Sequence, residues 1–399
     1  MRILFITDYL PYPPIAGDLI RNYNLIRRIA TQHEVSLLGF LNLSDEGDGL
    51  SHMRVFCHRV ETVDLPRRHK LARVPRLLRY ILTGIPFDFE FLYSDELVDR
   101  IRLLASSERF DIVQIEQSRM AMYLKALPAG SNSKNILVFH NVASQQYDRI
   151  SRIGRTRFNR IRSRLHSFML HRWEPRYAER FDRCITMSEV DRRLLLTANP
   201  RLNIDVVPNG VDTEHYQPLA LEEKRQAVLM IGSMSYPPNA DGALWFCNEI
   251  LPHIRSVLSE VQVWIVGISP PPEVMELNTD SVHVTGRVDD VLPYYMRTRV
   301  CVVPLRAGGG TRLKILEAMA LGRPVVSTSL GCEGLNLVDG RHLLIADDPK
   351  QFAEQTVRLL TNRALHERIA AEARQLAVSR YDWDVIAGEL LNVYSKAME

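Results

Sequence analysis

The sequence has few cysteines and no long apolar run. Only five of its 399 residues are cysteine, and none lies in a C-x-x-C pair or beside paired histidines. The sequence therefore predicts neither a disulfide framework nor a zinc site. No apolar run approaches the ~18 residues that cross a bilayer, and the N-terminal run 3–6 is too short for a signal peptide. These absences favour a cytoplasmic protein with free thiols.

The net charge of +3 is small, but it is unevenly distributed. Residues 1–210 contain 32 Lys and Arg against 23 Asp and Glu, whereas residues 211–399 contain 18 against 24. Two stretches have no acid, one from Arg67 to Arg79 and one from Arg149 to Arg172. Such runs are usually solvated helix faces. The alternative is docking on an anionic membrane surface, while nucleic acid is disfavoured because no binding module is present.

Short β-branched segments alternate with amphipathic helical segments along the whole chain. This alternation predicts parallel sheets with helices on both faces. Turn formers interrupt the pattern at residues 207–212, which we interpret as a domain boundary. The predicted strands are 3–6, 35–40, 111–115, 136–139, 184–187 and 205–207 in the first half, and 227–231, 261–266, 282–284, 300–303, 324–327 and 343–345 in the second.

Three glycines, 308–310, follow one predicted strand and precede a predicted helix. Glycine permits close approach of the backbone to a ligand, and a helix N-terminus attracts anions. Arg312 and Lys314 lie in the first helical turn, where a cation is disfavoured unless an anion is nearby. Glu317 lies near the same face and could accept hydrogen bonds from ribose hydroxyls. The pattern predicts a phosphate site, and its alternative is a glycine turn in which Glu317 pairs with Lys314.

The segment from Gly308 to Ala320, with residues 322–326, resembles the nucleotide-sugar signature of glycosyltransferase family 4. Further segments resemble other motifs of that family in the family's order: 8–18 with Arg21, 139–142, 187–191, 207–212, 284–290 and 381–383. The resemblance implies an α/β GT-B fold, with two Rossmann-like domains whose parallel sheets face across a cleft. It implies an acceptor-binding domain at 1–210, a nucleotide-sugar-binding domain at 211–379, and a helix at 380–399 that packs back on the first domain.

The resemblance also implies site residues in both domains. His140 is the expected catalytic residue, supporting the sugar and the developing charge, although a lone histidine is more often a packing residue. Glu116, at a strand end, is a candidate acceptor residue or a plain surface carboxylate. The expected donor-binding residues are Gly286, Arg287 and Val288 at the base, Glu317 at the ribose, and Gly309, Gly310, Thr311, Arg312 and Lys314 at the diphosphate. Gly17, Asp18, Asn209, Ser233 and Asn239 are expected to line the phosphates or the cleft.

Three positions depart from the family pattern. The first of the family's two glutamates falls at Gly309, and the usual Gly-Arg…Lys-Gly loop is replaced by residues 232–241. Asp18 stands where the family has the second of two adjacent glycines. We therefore predict that Arg312 and Lys314 supply the charge for the diphosphate, with Ser233 and Asn239 lining the other side.

The expected function is that of a retaining glycosyltransferase. It would move a sugar from a nucleoside-diphosphate donor to a glycan or lipid-linked acceptor in cell-surface or exopolysaccharide synthesis. No metal or other cofactor is expected, and the location would be cytoplasmic or peripheral on the inner membrane face. The alternatives are a non-catalytic nucleotide-sugar-binding partner subunit and a nucleotide-sugar epimerase or hydrolase on the same fold.

Overall fold

The computed structural model describes residues 1–41, 48–65, 86, 89, 92–154, 156–219 and 226–399, which form two units. The first unit comprises Met1–Asp148, Ile161–Pro208 and Ile386–Glu399. The second comprises Arg149–Arg160 and Asn209–Val385. The chain passes between them at Pro208, inside the segment interpreted above as a boundary. Residues 149–160 group with the second unit, which the expected boundaries do not include, and the basic stretch 67–79 lies outside the described residues.

The first unit contains a seven-stranded sheet in the order β3-β2-β1-β4-β5-β6-β7, and every neighbouring pair is parallel. The strand order reverses between β1 and β4, where open α/β sheets bind ligands at the carboxyl ends of the strands. The strands are β1 (Arg2–Thr7), β2 (Glu34–Phe40), β3 (Arg59–Val63), β4 (Ile112–Glu116), β5 (Lys134–Phe139), β6 (Arg183–Thr186) and β7 (Ile204–Val206). The helices between them are α1 (Gly17–Ile29), α2 (Asp48–Met53), α3 (Asp95–Ser107), a 3-10 helix (Ser118–Ala126), α4 (Ala143–Ile153), α5 (Arg157–Ala178) and α6 (Glu189–Ala198).

The second unit contains a six-stranded parallel sheet in the order β10-β9-β8-β11-β12-β13. Its order reverses between β8 and β11. The strands are β8 (Ala227–Ile231), β9 (Gln262–Val266), β10 (Val282–Gly286), β11 (Val300–Val303), β12 (Val325–Ser327) and β13 (Leu344–Ile345). The helices are α7 (Pro237–Trp245), a π-helical turn (Phe246–Ile250), α8 (Leu251–Arg255), α9 (Pro272–Met275), α10 (Leu292–Met296), α11 (Leu313–Ala320), α12 (Pro349–Thr361) and α13 (Arg363–Arg380). The last helix, α14 (Trp383–Met398), belongs to the first unit from Ile386 onward.

The predicted class of two parallel-sheet α/β domains is confirmed. β3 was not predicted, because only Val60 and Val63 of its five residues are buried and its apolar signal is weak. A π-helical turn separates α7 from α8, so the helical segment from Pro237 to Arg255 is not one α-helix. Pro252 explains the division, since it has no N–H to donate to the preceding turn.

The five cysteines are all free, as expected. Within the part of the chain that the structure describes, no helix is long and apolar enough to cross a membrane. The same residues include no group of three or more His, Cys, Asp or Glu that could hold a metal ion.

Two glycines meet at the carboxyl ends of β8 and β9, and one of them gives a stability prediction. A Cβ at Gly267 would overlap the carbonyl oxygen of Gly232, a backbone atom that cannot move aside. We expect Gly267→Ala to destabilise the second unit by about 2 kcal/mol or more. Gly388→Ala is the control, because a Cβ at this position in α14 meets nothing within 4 Å and should stabilise by roughly 0.5–1 kcal/mol. Denaturant unfolding measures both, and equal stability of the two variants would contradict the close approach.

Candidate active site

In the first unit, His140 lies directly after β5 and is held by Glu116 at the end of β4. The Nε2 atom of His140 is 2.6 Å from Oε2 of Glu116, and Nε2 of Gln114 donates to Oε1 of Glu116 at 2.5 Å. Glu116 is fully buried, whereas 12% of the His140 side chain is exposed. Glu116 is thus not the surface carboxylate that was the alternative, because it is fully buried and each of its oxygens has a hydrogen-bond partner. Its role toward an acceptor stays a prediction.

Behind Glu116 lie Tyr394 and Gln114, which the sequence did not point to, and Arg21, which is part of the N-terminal motif. The hydroxyl of Tyr394, on α14, donates to Oε1 of Gln114 at 2.7 Å. Arg21 is buried and donates to the carbonyl of Pro208 at 2.7 Å, and burial lowers the pKa of Arg21 to about 10. Hydrogen bonds therefore connect Tyr394 through Gln114 and Glu116 to His140. Tyr394 and Gln114 are 280 residues apart in the sequence, so no local pattern relates them.

A second polar cluster follows β1. The buried carboxylate of Asp8 pairs with Arg119, and Oδ2 of Asp18 lies 3.7 Å from the same guanidinium. Gln117 donates to Oδ2 of Asp18 at 2.9 Å and has a φ of 71°, in the left-handed region that favours glycine. Such backbone strain occurs at functional sites. Gly17 is exposed at the start of α1, and the half-buried Asp18 beside it contacts Gln117 and Arg119.

In the second unit, the three glycines form the predicted turn between β11 and α11. Gly308 and Gly310 have φ values of 118° and 71°, which glycine adopts readily. Arg312 is the N-cap residue of α11 rather than a member of its first turn, and its guanidinium donates to the carbonyls of Gly309 and Gly310. The side chain of Arg312 thus folds back on the glycine loop, and the role of its charge at a diphosphate stays a prediction.

Lys314 lies over the loop that follows β8. Its Nζ donates to Oδ1 of Asn239 at 3.0 Å, and Nδ2 of Asn239 donates to the carbonyl of Ser233 at 2.8 Å. A Cβ at Gly232 would lie 2.6 Å from the Lys314 ammonium, so glycine leaves room for it. Burial and the nearby Arg312 lower the pKa of Lys314 to about 7. An anion placed here would restore the ordinary charge of this side chain.

Glu317 lies one turn after Lys314 on α11. Burial raises its pKa to about 7, and this is opposed by the charge of Lys314 and by a hydrogen bond with Tyr295. The charge of Glu317 in turn raises the pKa of Tyr216. Glu317 as a residue is half-buried, and a hydrogen bond from a ligand hydroxyl to its carboxylate stays a prediction.

The remaining expected donor residues lie in loops of the second unit. Nδ2 of Asn209 donates to Oγ1 of Thr311 at 2.8 Å, which joins residues 207–212 to the glycine turn. Gly286 ends the edge strand β10 with a φ of 71°. Arg287 is exposed, and Val288 is partly buried against the core.

Arg149 is a contact of the glycine turn that sequence reasoning did not find. Its Nη1 donates to the carbonyl of Gly308 at 3.0 Å, and its guanidinium makes two hydrogen bonds to Glu333, at 2.5 and 2.9 Å. Arg149 is therefore not part of a solvated basic face, although it begins the second basic stretch. It helps to hold the turn whose glycines precede Lys314.

The two units match different family models. Residues 20–215 match the model described as Glycosyltransferase Family 4, and residues 225–362 match the model described as Glycosyl transferases group 1. Together these matches cover most of the chain. The chain belongs to the family 4 glycosyltransferases, and its two α/β units have the GT-B fold.

Particular relatives extend this comparison. Phosphatidyl-myo-inositol mannosyltransferase of Mycobacterium leprae is 31% identical over 223 residues, which are 53% of this chain and 58% of that protein. The chain thus spans little more than half the length of this curated relative. An uncharacterised 44.6 kDa protein in the cps region of Klebsiella pneumoniae is 21% identical over 402 residues, covering 96% of both chains. The structure of Anabaena Alr3699/HepE in complex with UDP-glucose shares the fold, with a TM-score of 0.69 at 15% identity over 99% of this chain and 100% of that chain.

Proposed function

We propose that this protein is a retaining glycosyltransferase that transfers a hexosyl group from a nucleoside-diphosphate sugar to an acceptor hydroxyl. The observation that carries the proposal is the placement of Lys314 between the glycine turn and the Asn239 loop. A buried ammonium with a lowered pKa, beside a helix N-terminus, suits a group with two negative phosphates. Membership of the family and the UDP-glucose in the Anabaena structure support this choice of donor.

In this proposal the second unit holds the donor. The diphosphate lies among Gly309, Gly310 and the N-terminus of α11, and Lys314 neutralises its charge. Glu317 accepts hydrogen bonds from the ribose hydroxyls. Residues 286–288 border the base. The leaving diphosphate gains negative charge as the glycosidic bond breaks, and fixed donors stabilise such charge with little reorganisation. We propose that Lys314 and the helix dipole do this without a metal ion.

The first unit supplies His140, which supports the transferred sugar and the charge that develops on it. Its imidazole is held in one orientation by Glu116, which leaves a small exposed surface for a sugar hydroxyl. The attacking oxygen comes from the acceptor, so the enzyme needs no nucleophile of its own. The product retains the anomeric configuration of the donor.

We further propose a glycan or lipid-linked acceptor, with a role in cell-surface or exopolysaccharide synthesis at the inner face of a membrane. The name of the mycobacterial relative, a phosphatidyl-myo-inositol mannosyltransferase, supports a lipid-linked acceptor. The cps-region origin of the Klebsiella protein supports the exopolysaccharide role. A non-catalytic partner subunit is the second candidate, because glycine at position 309 removes one of the family's two glutamates.

Transfer assays with a panel of UDP- and GDP-sugars test the proposed function. We expect release of nucleoside diphosphate from one donor only when an acceptor extract or lipid-linked acceptor is present. Release without acceptor would identify a hydrolase, and interconversion of sugars without release would identify an epimerase. Tight donor binding with no turnover under any condition would identify the partner subunit. The Lys314→Met variant is the negative control for turnover in these assays.

A further inference from the structure

Helix α5 carries an exposed apolar stripe between Phe158 and Phe168. Eight of the nine residues from Arg157 to Leu165 are exposed. Four large apolar side chains lie on this part of the helix, with exposed fractions of 73% for Phe158, 68% for Ile161, 50% for Leu165 and 54% for Phe168. Exposed apolar residues are ordinary when they are scattered singly, but a contiguous group marks an interaction surface.

The four side chains lie on one side of the helix. Their spacing of three, four and three residues places them within an arc of about 80°, at about 100° per residue. Ten residues of helix at ~1.5 Å each make the stripe about 15 Å long. A helix with a narrow apolar stripe of this length lies in the plane of a membrane surface and does not span the bilayer.

Arginines border the stripe on both sides. The same helical spacing places Arg162 on one side and Arg157 and Arg164 on the other. The guanidinium of Arg172 lies over the ring of Phe168, 4.4 Å from its centroid. Residues 149–172 contain no acid. At such positions the aliphatic part of an arginine side chain packs against apolar groups, while its guanidinium contacts anionic groups.

The C-terminal half of α5 is firmly anchored, so the stripe is held in place. The ring of His166 packs on Tyr147 at 4.3 Å, and Oγ of Ser167 donates to the carbonyl of Ser144 at 2.7 Å. The buried carboxylate of Glu174 accepts from the backbone N–H groups of Ala143 and Ser144 at the start of α4. These contacts hold the part of α5 from Ile161 onward to the first unit, and the residues from Arg157 to Arg160 continue the same helix.

We propose that this face of α5 docks on an anionic lipid bilayer. The four apolar side chains enter the interfacial region, and the bordering arginines contact lipid phosphates. A second copy of this chain fits less well, because pairing two such stripes would place arginines against arginines. The inference deepens the proposed function, since a lipid-linked acceptor is presented at a bilayer surface, but docking itself does not require transfer.

Vesicle sedimentation with the full chain tests this surface. We expect binding to phosphatidylcholine vesicles that contain phosphatidylglycerol and little binding to pure phosphatidylcholine. The double variant Ile161→Asn with Leu165→Asn should lower the partition coefficient about tenfold or more, because two apolar side chains no longer enter the interface. The double variant Arg162→Glu with Arg164→Glu should do the same, and wild-type binding should weaken with added salt.

Matched variants elsewhere on the surface serve as controls. Val257→Asn with Met275→Asn removes exposed apolar residues, and Arg193→Glu with Arg201→Glu reverses exposed charges outside α5. Neither control should change binding, and thermal unfolding should show all variants folded. Equal vesicle binding by the stripe variants and the control variants would overturn the proposal, and so would the absence of vesicle binding by the wild type. A dimer that forms without lipid and that only the stripe variants fail to form would also overturn it. If the protein transfers sugar to a soluble acceptor but does not bind vesicles, the docking surface is overturned and the proposed function is not. If it binds vesicles through α5 but transfers no sugar, the proposed function is overturned and the docking surface is not.

Discussion

Lys314→Met is expected to lower kcat/KM for the nucleotide-sugar donor by about 10²–10³-fold, the usual effect of removing one preorganised donor from developing charge. Methionine keeps much of the length and apolar volume of the side chain, so the hydrogen bond to Asn239 is lost with little change in packing. Initial-rate kinetics measure the effect on turnover, and titration with nucleoside diphosphate measures the effect on binding. Lys350→Met, an exposed lysine at the start of α12, is the charge-matched control and should leave both unchanged. Wild-type kinetics and affinity in Lys314→Met would contradict the assigned role.

The same lysine predicts a pH dependence of donor binding. With a pKa of about 7 in the free protein, Lys314 loses its proton as the pH rises above neutrality. A bound diphosphate favours the charged ammonium, so binding takes up a proton and the affinity falls as the pH rises past about 7. Titration calorimetry in buffers of different ionisation enthalpy measures this uptake.

The contribution of Glu317 to this pH dependence has to be measured separately from that of Lys314, because the pKa of Glu317 is also about 7. Its ionisation adds negative charge near the diphosphate and would likewise lower the affinity as the pH rises. In Glu317→Gln the proton uptake that remains belongs to Lys314, and in Lys314→Met that component should disappear. A pH-independent affinity in the wild type would contradict the prediction.

The sequence predicted the fold, and it predicted that Lys314 and Asn239 border the same site, for one physical reason. Strands buried on both faces of a parallel sheet appear as continuous apolar runs, so β1, β5, β8 and β11 were predictable. The loops after such strands meet at one edge of the sheet. Lys314, which comes after β11, could therefore be placed opposite Asn239, which comes after the adjacent strand β8.

The rest of the site depends on contacts between distant parts of the chain. The bond from Tyr394 to Gln114 and the pair between Arg149 and Glu333 have no periodic or spacing signal. Arg312 shows a different limit, because its position was predicted but its side chain turns back to the loop carbonyls. The spacing of residues in the sequence indicates which side chains lie near one another. The hydrogen-bond partner of each side chain depends on which nearby donors and acceptors compete for it.

His140→Ala is expected to lower kcat by about 10²–10³-fold with a smaller change in KM, if the imidazole acts on charge that develops only in the transition state. The separation of kcat from KM distinguishes this role from ground-state binding of the sugar. His171→Ala, an exposed histidine on α5, is the matched control and should have wild-type kinetics. Unchanged kcat with a raised KM in His140→Ala would assign His140 to substrate binding instead.

Glu116→Gln tests whether Glu116 acts through His140. The carboxylate accepts two hydrogen bonds, one at each oxygen, from Gln114 and the imidazole. An amide has only one oxygen, so one of these donors would face its NH₂ group, and the loss of one buried hydrogen bond should lower kcat about tenfold. Because Glu116 acts through His140, Glu116→Gln should have little further effect in a His140→Ala background. Additive effects of the two substitutions would show that Glu116 acts independently. Tyr394→Phe should give a smaller change than Glu116→Gln, because the Tyr394 hydroxyl is three hydrogen bonds from the imidazole whereas Glu116 is one.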